Sequence, residues 1–207
     1  MKNRWLILAA IVSLVTFVII AIKGILTNFS LKYDLIVNQK IILVQTQFFI
    51  EFFKIIGVLF DTWSLIIVAL IISIFIWIKD SKKDAVFFSV TMIMAGAILF
   101  VLKEIFHRAR PLDILIKEAS YSFPSGHAML STIFFGVILY LILKRDHSKI
   151  EKTIAKIICP LFIIIISFSR IYLSAHWLSD IFAGFFLGVF ILSVSIIIKS
   201  SLRKIKL

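Results

Sequence analysis

The sequence predicts an all-α integral membrane protein in which six transmembrane helices form a bundle. Hydrophobic residues make up 61% of the 207-residue chain, and its mean hydropathy is +1.11. Soluble domains contain nearer half apolar residues. Apolar runs of the length that crosses a bilayer as a helix recur along the chain, separated by short polar segments. These observations favour a single membrane-embedded domain over residues 1–207.

The net charge of +12 is better explained by membrane topology than by nucleic-acid binding. The basic residues form no stripe and fall in short clusters between apolar runs, as the positive-inside rule expects. The one cysteine, Cys159, lies within an apolar run, where we expect a small buried side chain. It can form no internal disulfide and belongs to no cysteine cluster for a metal. We expect the bilayer as a partner, no nucleic acid and no obligatory protein partner.

The first predicted span covers residues 5–22. A signal peptide has a similar layout, but its apolar part is usually about 7–15 residues long and ends in a small-residue cleavage site. This run is longer and ends in Lys23 and Gly24. We therefore expect an uncleaved first span.

Residues 27–54 are predicted to form an amphipathic helical segment between the first two spans. Polar residues recur there at helical spacing, at Lys40, Gln47, Glu51 and Lys54, between faces rich in Ile, Val and Phe. Such a segment lies along the membrane surface or packs against the bundle, and both can hold together.

Five further spans are predicted, at residues 55–78, 85–102, 127–143, 157–168 and 177–198. Six spans place the densest basic clusters, within residues 2–4, 79–83, 144–152 and 199–206, on one side of the membrane. The positive-inside rule makes that side cytoplasmic, together with both termini. The other side receives residues 103–126 and 174–177, so the polar clusters within residues 103–180 are expected at the outer face of a multi-pass cell-membrane protein.

Three cations stand out in these clusters, Lys103, Arg110 and Arg170. One isolated cation at a membrane surface usually serves topology or lipid headgroup contact. Three cations gathered with two histidines need another explanation. Arg and Lys together suit a tetrahedral anion with several charged oxygens, which indicates phosphate.

The second cluster, Pro124-Ser125-Gly126-His127, precedes a long apolar run. Ser125 is a good helix cap, Gly126 lets the backbone approach a ligand closely, and free amides at a helix N-terminus bind phosphate. A simple turn into the span would explain the first three residues. It would not explain His127 at the membrane boundary.

His176 and Asp180 are four residues apart and share a face if a helix begins there. A carboxylate on one imidazole nitrogen fixes the tautomer and leaves the other nitrogen free to react. Capping of the last span is the alternative. With His127, the set predicts attack on phosphorus by one histidine and protonation of the leaving oxygen by the other. Cations would neutralise the phosphoryl oxygens, so we expect no metal and no other cofactor.

The motifs Lys103-x6-Arg110-Pro111, Pro124-Ser125-Gly126-His127 and Ser169-Arg170-x5-His176-x3-Asp180 resemble the three-part signature of the type 2 phosphatidic acid phosphatase superfamily. They match in residue type and in spacing. The six-span layout extends the likeness over nearly the whole chain.

This resemblance implies a role for each motif residue. His176 would be the nucleophile that forms a phosphohistidine, Asp180 would hold it, and His127 would be the general acid. The implied phosphate ligands are Lys103, Arg110, Ser125, the Gly126 amide and Arg170. Ser169 and Pro111 would be structural, and members of this family in membranes act without a metal.

Other polar residues near the motifs are predicted to take no part. Glu104, Asp113 and Glu118 show no spacing that suggests a shared site. His107 falls at a variable position of the first motif, and His147 falls on the predicted cytoplasmic side.

Among bacterial membrane members, the sequence is most similar to the phosphatidylglycerophosphate phosphatase B and undecaprenyl pyrophosphate phosphatase group. This similarity implies hydrolysis of the terminal phosphate of a lipid phosphate or pyrophosphate, in phospholipid metabolism or in recycling of the cell-wall lipid carrier. Candidate substrates are undecaprenyl pyrophosphate, phosphatidylglycerophosphate, phosphatidic acid and diacylglycerol pyrophosphate. The phenylalanine-rich stretch from Phe48 to Phe53 suggests a lateral path for the lipid tail.

Three other functions fit part of this pattern. Vanadium haloperoxidases are similar at the same motifs but are soluble, and the predicted spans argue against them. A lipid phosphotransferase would use the same phosphohistidine and pass the phosphoryl group to an alcohol. A non-enzymatic carrier of lipid phosphate would not need both histidines.

Overall fold

The computed structural model describes residues 2–26 and 29–204, and all the regular structure in these residues is α-helical. Eight helices follow one another along the chain. Their bounds are Lys2–Leu26 (α1), Phe29–Ile42 (α2), Gln47–Leu59 (α3), Thr62–Lys79 (α4), Lys82–Phe106 (α5), Gly126–Lys144 (α6), Lys149–Tyr172 (α7) and Leu178–Lys204 (α8).

Six of these helices, α1 and α4 to α8, are long and apolar enough to cross a membrane. The predicted number of spans is therefore confirmed. Each predicted apolar run lies within one helix, apart from the second and from the first residue of the sixth. Most of the helices extend past the apolar run into polar sequence, because side-chain caps continue them there. At α7, for example, Ser148 and Glu151 form a capping box, and the helix begins at Lys149, eight residues before the predicted span.

The helix α6 lies at the centre of the bundle and is the most buried of the six spans. It packs against α7 and α8, while α1 packs on α8, and α4 pairs with α5. The buried side chains on these surfaces form one continuous apolar core, which also contains Cys159. The prediction of a buried cysteine is confirmed.

Small residues let α8 approach the start of α6 closely. A Cβ atom on Gly184 would lie only 2.4 Å from the backbone carbonyl oxygen of Ser125, too close for any side chain there. The backbone N–H of Ser125 also donates to the carbonyl of Asp180, at 3.1 Å. The second and third polar clusters are therefore joined by backbone contacts.

The second predicted span, at residues 55–78, is wrong at its beginning. The structure ends α3 at Leu59 and starts a separate helix, α4, at Thr62. Asp61 causes the break because its carboxylate accepts a hydrogen bond from the Trp63 backbone N–H at 3.2 Å and caps α4. Residues 55–59 belong to the helix before the span.

The amphipathic segment predicted at residues 27–54 is two helices rather than one, and residues 27 and 28 lie outside the described part. The chain between α2 and α3 is held against the end of α7 by Tyr172. The Tyr172 hydroxyl donates to the Val44 carbonyl at 3.0 Å and accepts from the Thr46 N–H at 2.9 Å. Both helices pack on the bundle, and Phe48 on α3 faces outward. A position along the membrane surface stays a prediction.

The opposite end of the bundle is held by a charged cluster around Asp84. This carboxylate at the start of α5 lies 2.5 Å from Lys199 Nζ on α8 and 3.4 Å from Lys144 Nζ on α6. A buried carboxylate needs such partners. The cluster closes the end of the bundle away from the three polar motifs.

Candidate active site

All three polar motifs meet at one end of the bundle, where α5 and α7 end and α6 and α8 begin. A cavity of about 810 Å³ opens among them. Its polar end is lined by Lys103, Arg110, Gly126, His127 and His176. The motifs far apart in the sequence thus share one site.

His176 lies in the turn between α7 and α8 and is almost fully buried. Its Nε2 is 3.2 Å from an NH1 nitrogen of Arg110. A guanidinium can only donate, so Nε2 is the acceptor and carries a lone pair. The other ring nitrogen then carries the proton and points toward Asp180.

Burial first, and then nearby positive charges with Arg110 foremost, hold the pKa of the His176 imidazole well below its usual range. The ring is therefore neutral at pH 7. A neutral imidazole with an unprotonated nitrogen beside a cationic group has the form that a nucleophile requires.

Asp180, in the first turn of α8, is fully buried behind His176. Its Oδ2 lies 3.5 Å from His176 Nδ1 and accepts a hydrogen bond from the Trp177 backbone N–H at 2.9 Å. The contact with Nδ1 has the distance of an ion pair but not the geometry of a hydrogen bond. The predicted pairing of Asp180 with His176 is present in this looser form, and the capping alternative is present with it.

Two of the predicted phosphate ligands, Lys103 and Arg110, stand side by side over the loop after α5. Lys103 Nζ donates to the hydroxyl of Ser120 at 3.1 Å. Arg110 donates through Nε to the Ser120 carbonyl at 2.8 Å and through NH1 to the Ala175 carbonyl at 2.6 Å. These contacts fix both cations at the mouth of the cavity without neutralising them.

Glu118 corrects the expectation that the acids near the motifs share no site. Its Oε2 lies 3.2 Å from Arg110 NH2, and its Oε1 accepts from Arg170 NH2. Arg170 is itself buried, so a partner carboxylate is needed there. Spacing along the sequence gave no sign of this, because the loop folds back over the cations. Glu118 therefore pairs with two of the three cations that were predicted to bind phosphate.

The turn before α6 only partly follows the prediction. Gly126 lines the cavity, and a Cβ there would lie 2.8 Å from a methyl group of Leu99. Ser125 is fully buried, does not line the cavity and caps α6 by accepting from the Ala128 N–H at 3.5 Å. The predicted capping role of Ser125 is confirmed, whereas a contact between its hydroxyl and phosphate stays a prediction.

His127 is buried in the first turn of α6, and its Nε2 lies 3.0 Å from the carbonyl oxygen of Gly57 on α3. A carbonyl can only accept, so this nitrogen carries a proton. A Cβ at Gly57 would also lie 2.5 Å from Arg170 NH1, so a side chain there would displace the buried Arg170 guanidinium. The backbone of α3 thus contacts a histidine of the second motif and passes close to an arginine of the third.

The remaining wall of the cavity is apolar and comes from α4 and α5. It includes Trp63, Ile66, Ile93, Ala97 and Phe100. Trp63 and Phe100 also face the outside of the bundle, so the cavity extends to the surface that a bilayer would cover. The side chains from Phe48 to Phe53 do not line this cavity, and Phe53 packs against Tyr172, so a lipid path along them stays a prediction.

Two further charged residues escaped the sequence reasoning. Arg108 lies between Lys103 and Arg110 of the first motif, and its guanidinium reaches back to Asp180, with NH1 2.5 Å from Oδ1. Its other arm donates to Asp34 of α2, with NH2 2.7 Å from Oδ2. The only signal for Asp34 was that it is the one acidic residue of the α2 sequence.

The other histidines are placed apart from the site. His107 ends α5 in a left-handed conformation with φ of 46°, and its backbone N–H donates to the Lys103 carbonyl. His147 pairs with Glu151 at the opposite end of the bundle. Within residues 2–26 and 29–204, no group of three or more His, Cys, Asp or Glu side chains is arranged to hold a metal ion. Independence from metal stays a prediction.

The family model of the PAP2 superfamily matches residues 84–204, which contain all three motifs. The chain belongs to the PAP2 superfamily. The resemblance drawn from the motifs is thereby confirmed.

Two curated relatives are similar to parts of this chain. Phosphatidylglycerophosphatase B of Bacillus subtilis is 38% identical over 95 residues, which cover 43% of this chain and 45% of the relative. Undecaprenyl-diphosphatase of Sulfolobus acidocaldarius is 26% identical over 130 residues, 59% of each chain. The chain thus spans about half the length of these two relatives.

The fold is similar to a crystal structure described as the first transmembrane PAP2 type phosphatidylglycerolphosphate phosphatase from Bacillus subtilis. The TM-score is 0.86 and the identity 25%, over 93% of this chain and 96% of that chain. The likeness extends over the N-terminal helices that the family model leaves out. This chain is a multi-span membrane protein with that architecture.

We predict that Glu118→Gln strengthens the binding of inorganic phosphate beside Arg110 and Arg170. A carboxylate held by Arg110 and Arg170 competes with an incoming phosphate, whereas an amide competes less. A charge-assisted contact contributes about 1.5–3 kcal/mol, so the dissociation constant for inorganic phosphate should fall by about tenfold or more. Calorimetry in detergent measures it, with Glu104→Gln as the control because Glu104 is half-exposed and outside the cavity. Unchanged phosphate affinity in Glu118→Gln would show that the carboxylate does not compete.

Proposed function

We propose that this protein is a membrane lipid phosphatase that removes the terminal phosphate of a lipid phosphate or pyrophosphate through a phosphohistidine. One observation carries the proposal. A neutral, buried His176, backed by Asp180, faces a cavity with cations at one end and an apolar wall at the other. A phosphate group and an acyl or prenyl chain need these two environments side by side.

In the first proposed step, the lone pair on His176 Nε2 attacks phosphorus. A phosphorus–nitrogen bond forms while the bond from phosphorus to the leaving oxygen breaks. The cations Lys103, Arg110 and Arg170 hold the phosphoryl oxygens as charge shifts toward them. Glu118 gives up its place to the phosphate, which meets the same guanidinium groups.

The leaving oxygen takes a proton from His127. For this step we propose that His127 is protonated on both ring nitrogens. Its Nε2–H, which donates to the Gly57 carbonyl in the structure, gives its proton to the leaving oxygen, and a neutral imidazole remains. The leaving oxygen would replace the carbonyl as the acceptor, and the dephosphorylated lipid would depart.

In the second step, water attacks phosphorus and the phosphorus–nitrogen bond breaks. His127, now a neutral imidazole, takes a proton from the water and is again protonated on both ring nitrogens, while His176 regains the lone pair on Nε2. The products are inorganic phosphate and the lipid alcohol, or the lipid monophosphate when the substrate is a pyrophosphate. The cations supply the positive charge of the site, and we propose that no metal takes part.

The names of the relatives support lipid substrates of two kinds, phosphatidylglycerophosphate and undecaprenyl diphosphate. We extend both to this chain, together with phosphatidic acid and diacylglycerol pyrophosphate, because they share a terminal phosphate on an apolar tail. The cavity wall on α4 and α5 suits such a tail, since it is apolar and reaches the outer surface of the bundle.

The first prediction for this mechanism distinguishes the role of His176 from that of His127. His176→Ala should lower phosphate release from lipid phosphates by about a thousandfold or more, because no other nucleophile is in place. His127→Ala should lower it by about a hundredfold or more with a lipid substrate, since a poor leaving group needs a proton. With p-nitrophenyl phosphate, whose leaving group needs no proton, His127→Ala should lose far less and His176→Ala should stay inactive.

These assays use purified protein in detergent and a panel of lipid phosphates. His147→Ala is the matched control and should keep full activity, because that histidine lies at the far end of the bundle. Chelator should leave wild-type turnover unchanged, and labelled water should appear in the released phosphate. Transfer of the phosphoryl group to an added alcohol, without label from the water, would indicate a phosphotransferase. Binding of lipid phosphate without release of inorganic phosphate would indicate a carrier.

A second prediction tests the tail path. Ala97→Phe places a ring in the apolar part of the cavity, and Val90→Phe adds the same bulk to α5 outside it. Excluding two methylene groups costs about 1.6 kcal/mol, so kcat/KM for a long-chain lipid phosphate should fall by about tenfold. Turnover of a short-chain, water-soluble analogue should stay within about twofold. If kcat/KM fell equally for the long-chain and short-chain substrates, or equally in Ala97→Phe and Val90→Phe, the lipid tail would bind elsewhere.

We further propose that both termini are cytoplasmic and that the site faces the outside of the cell. The basic clusters at the end of the bundle around Asp84 support this through the positive-inside rule. In a Cys159→Ala background, Leu112→Cys near the site should react in intact cells with a membrane-impermeant maleimide. Asp146→Cys should react only after lysis, and the reverse pattern would invert the topology.

A further inference from the structure

We propose that Asp34 on α2 positions the nucleophilic histidine through Arg108 and Asp180. Asp34 lies outside the three motifs and outside the region matched by the family model. It is a positioning residue, because it contacts neither the cavity nor His176. The inference rests on the proposed function, since it assigns Asp34 a part in orienting the group that attacks phosphorus.

Asp34 is 2% exposed and receives three hydrogen bonds from the start of α8 and from the loop after α5. Its Oδ1 accepts from the Ser179 backbone N–H at 2.9 Å. Its Oδ2 accepts from the Ser179 hydroxyl at 2.6 Å and from Arg108 NH2 at 2.7 Å. A carboxylate buried in this way is ordered only while its donors stay in place.

Arg108 uses its two terminal nitrogens to join the two carboxylates. While NH2 binds Asp34, NH1 lies 2.5 Å from Asp180 Oδ1 and donates also to the Ser179 hydroxyl at 2.7 Å. The guanidinium lies over the rings of Phe123 and Trp177, 6.0 and 5.9 Å from their centroids. Because a guanidinium is planar, binding one carboxylate through each terminal nitrogen fixes its orientation.

That orientation matters because Asp180 has two oxygens with different tasks. Oδ1 is held by Arg108, which leaves Oδ2 toward the His176 ring at 3.5 Å. This last contact is too loose to hold the carboxylate by itself. If Arg108 lost Asp34, its guanidinium would keep only Asp180 and the Ser179 hydroxyl as partners, and the Asp180 carboxylate would be free to turn about its remaining bond with the Trp177 backbone N–H. The loss would appear in kcat rather than in KM, because the substrate-binding cations Lys103, Arg110 and Arg170 would be untouched.

A purely structural role for Asp34 is the alternative, since its contacts with Ser179 also seat α2 on the start of α8. The two roles differ in what they predict. If Asp34 only anchors α2 on α8, its replacement should disturb the whole site whether or not Arg108 is present. A positioning role acts through Arg108 and leaves substrate binding intact.

The test is a double-mutant cycle between Asp34→Asn and Arg108→Gln in the full-length protein. Asparagine keeps the shape and an acceptor for the Ser179 N–H but removes the charge that Arg108 binds. We expect Asp34→Asn to lower kcat by about 10- to 100-fold, within the range of coupling found for contacting residues, and to leave KM within about threefold. In the Arg108→Gln background, the same substitution should change kcat by less than about threefold. Asn38→Ala, one turn further along α2 and also buried, is the control and should keep kcat within about threefold of wild type.

If the loss of kcat in the double variant equalled the product of the two single losses, the residues would act independently and the proposal would be overturned. A normal kcat in a folded Asp34→Asn protein would overturn it as well. If Asp34→Asn does not fold, Arg108→Lys with Asp34 intact decides. Lysine keeps the charge but not the two-armed fork, so the proposal expects a lower kcat at unchanged KM, and a normal kcat would overturn it.

Orthovanadate provides a readout that does not depend on lipid turnover. It binds a histidine nitrogen as a five-coordinate species, so its affinity reports the orientation of His176, and thermal stabilisation of the protein measures it. Asp34→Asn should weaken vanadate binding by about the same factor as kcat and leave binding of inorganic phosphate unchanged. A wild type that binds vanadate but hydrolyses no lipid would refute the proposed function, and the vanadate affinities of the variants would still decide the role of Asp34.

Discussion

The ion pairs of Arg108 join three parts of the chain that are far apart in the sequence. One guanidinium binds Asp34 of α2 and Asp180 of α8 from the loop that follows α5, and all three side chains are nearly inaccessible to solvent. Removing one partner from a buried charge pair typically costs about 3–5 kcal/mol, because the other charge is left without compensation. The position of His176 therefore depends on contacts made well behind it. The bundle supplies rigidity, but this network sets the direction of the side chain at the reacting end.

The charges around the site are divided into two groups on opposite sides of His176. Behind the ring, Arg108 is matched by two carboxylates. In front of it, three cations share a single carboxylate, Glu118. The front is therefore left with an excess of positive charge that an incoming phosphate can neutralise. Burial and this excess of positive charge together keep His176 unprotonated. Under the proposed mechanism, the excess also draws the phosphoryl group toward the free nitrogen of His176.

Much of this architecture was predictable from the sequence, because local patterns determine it. Apolar runs gave the six spans, and the motif spacing brought the histidines and cations together, as found. The break at Asp61 was missed because a single capping residue ends an apolar pattern that otherwise continues. Glu118, Arg108 and Asp34 were missed for a different reason. Their partners lie 8 to 74 residues away in the sequence. Which of these charges meet depends on how a loop folds or where a helix packs.

The N-terminal helices contribute to the site despite carrying none of the motifs. The family model begins at residue 84, yet the Gly57 carbonyl on α3 accepts from His127, and Asp34 on α2 binds Arg108. Both contacts satisfy buried groups whose loss would each cost about 1–3 kcal/mol or more. The motif-bearing helices would thus retain every predicted catalytic residue without α2 and α3, but two of those residues would lose what orients them. The tie of Tyr172 to the chain between α2 and α3 keeps both helices against the bundle. The segment that was hardest to interpret from its sequence therefore acts through orientation, which a motif does not encode.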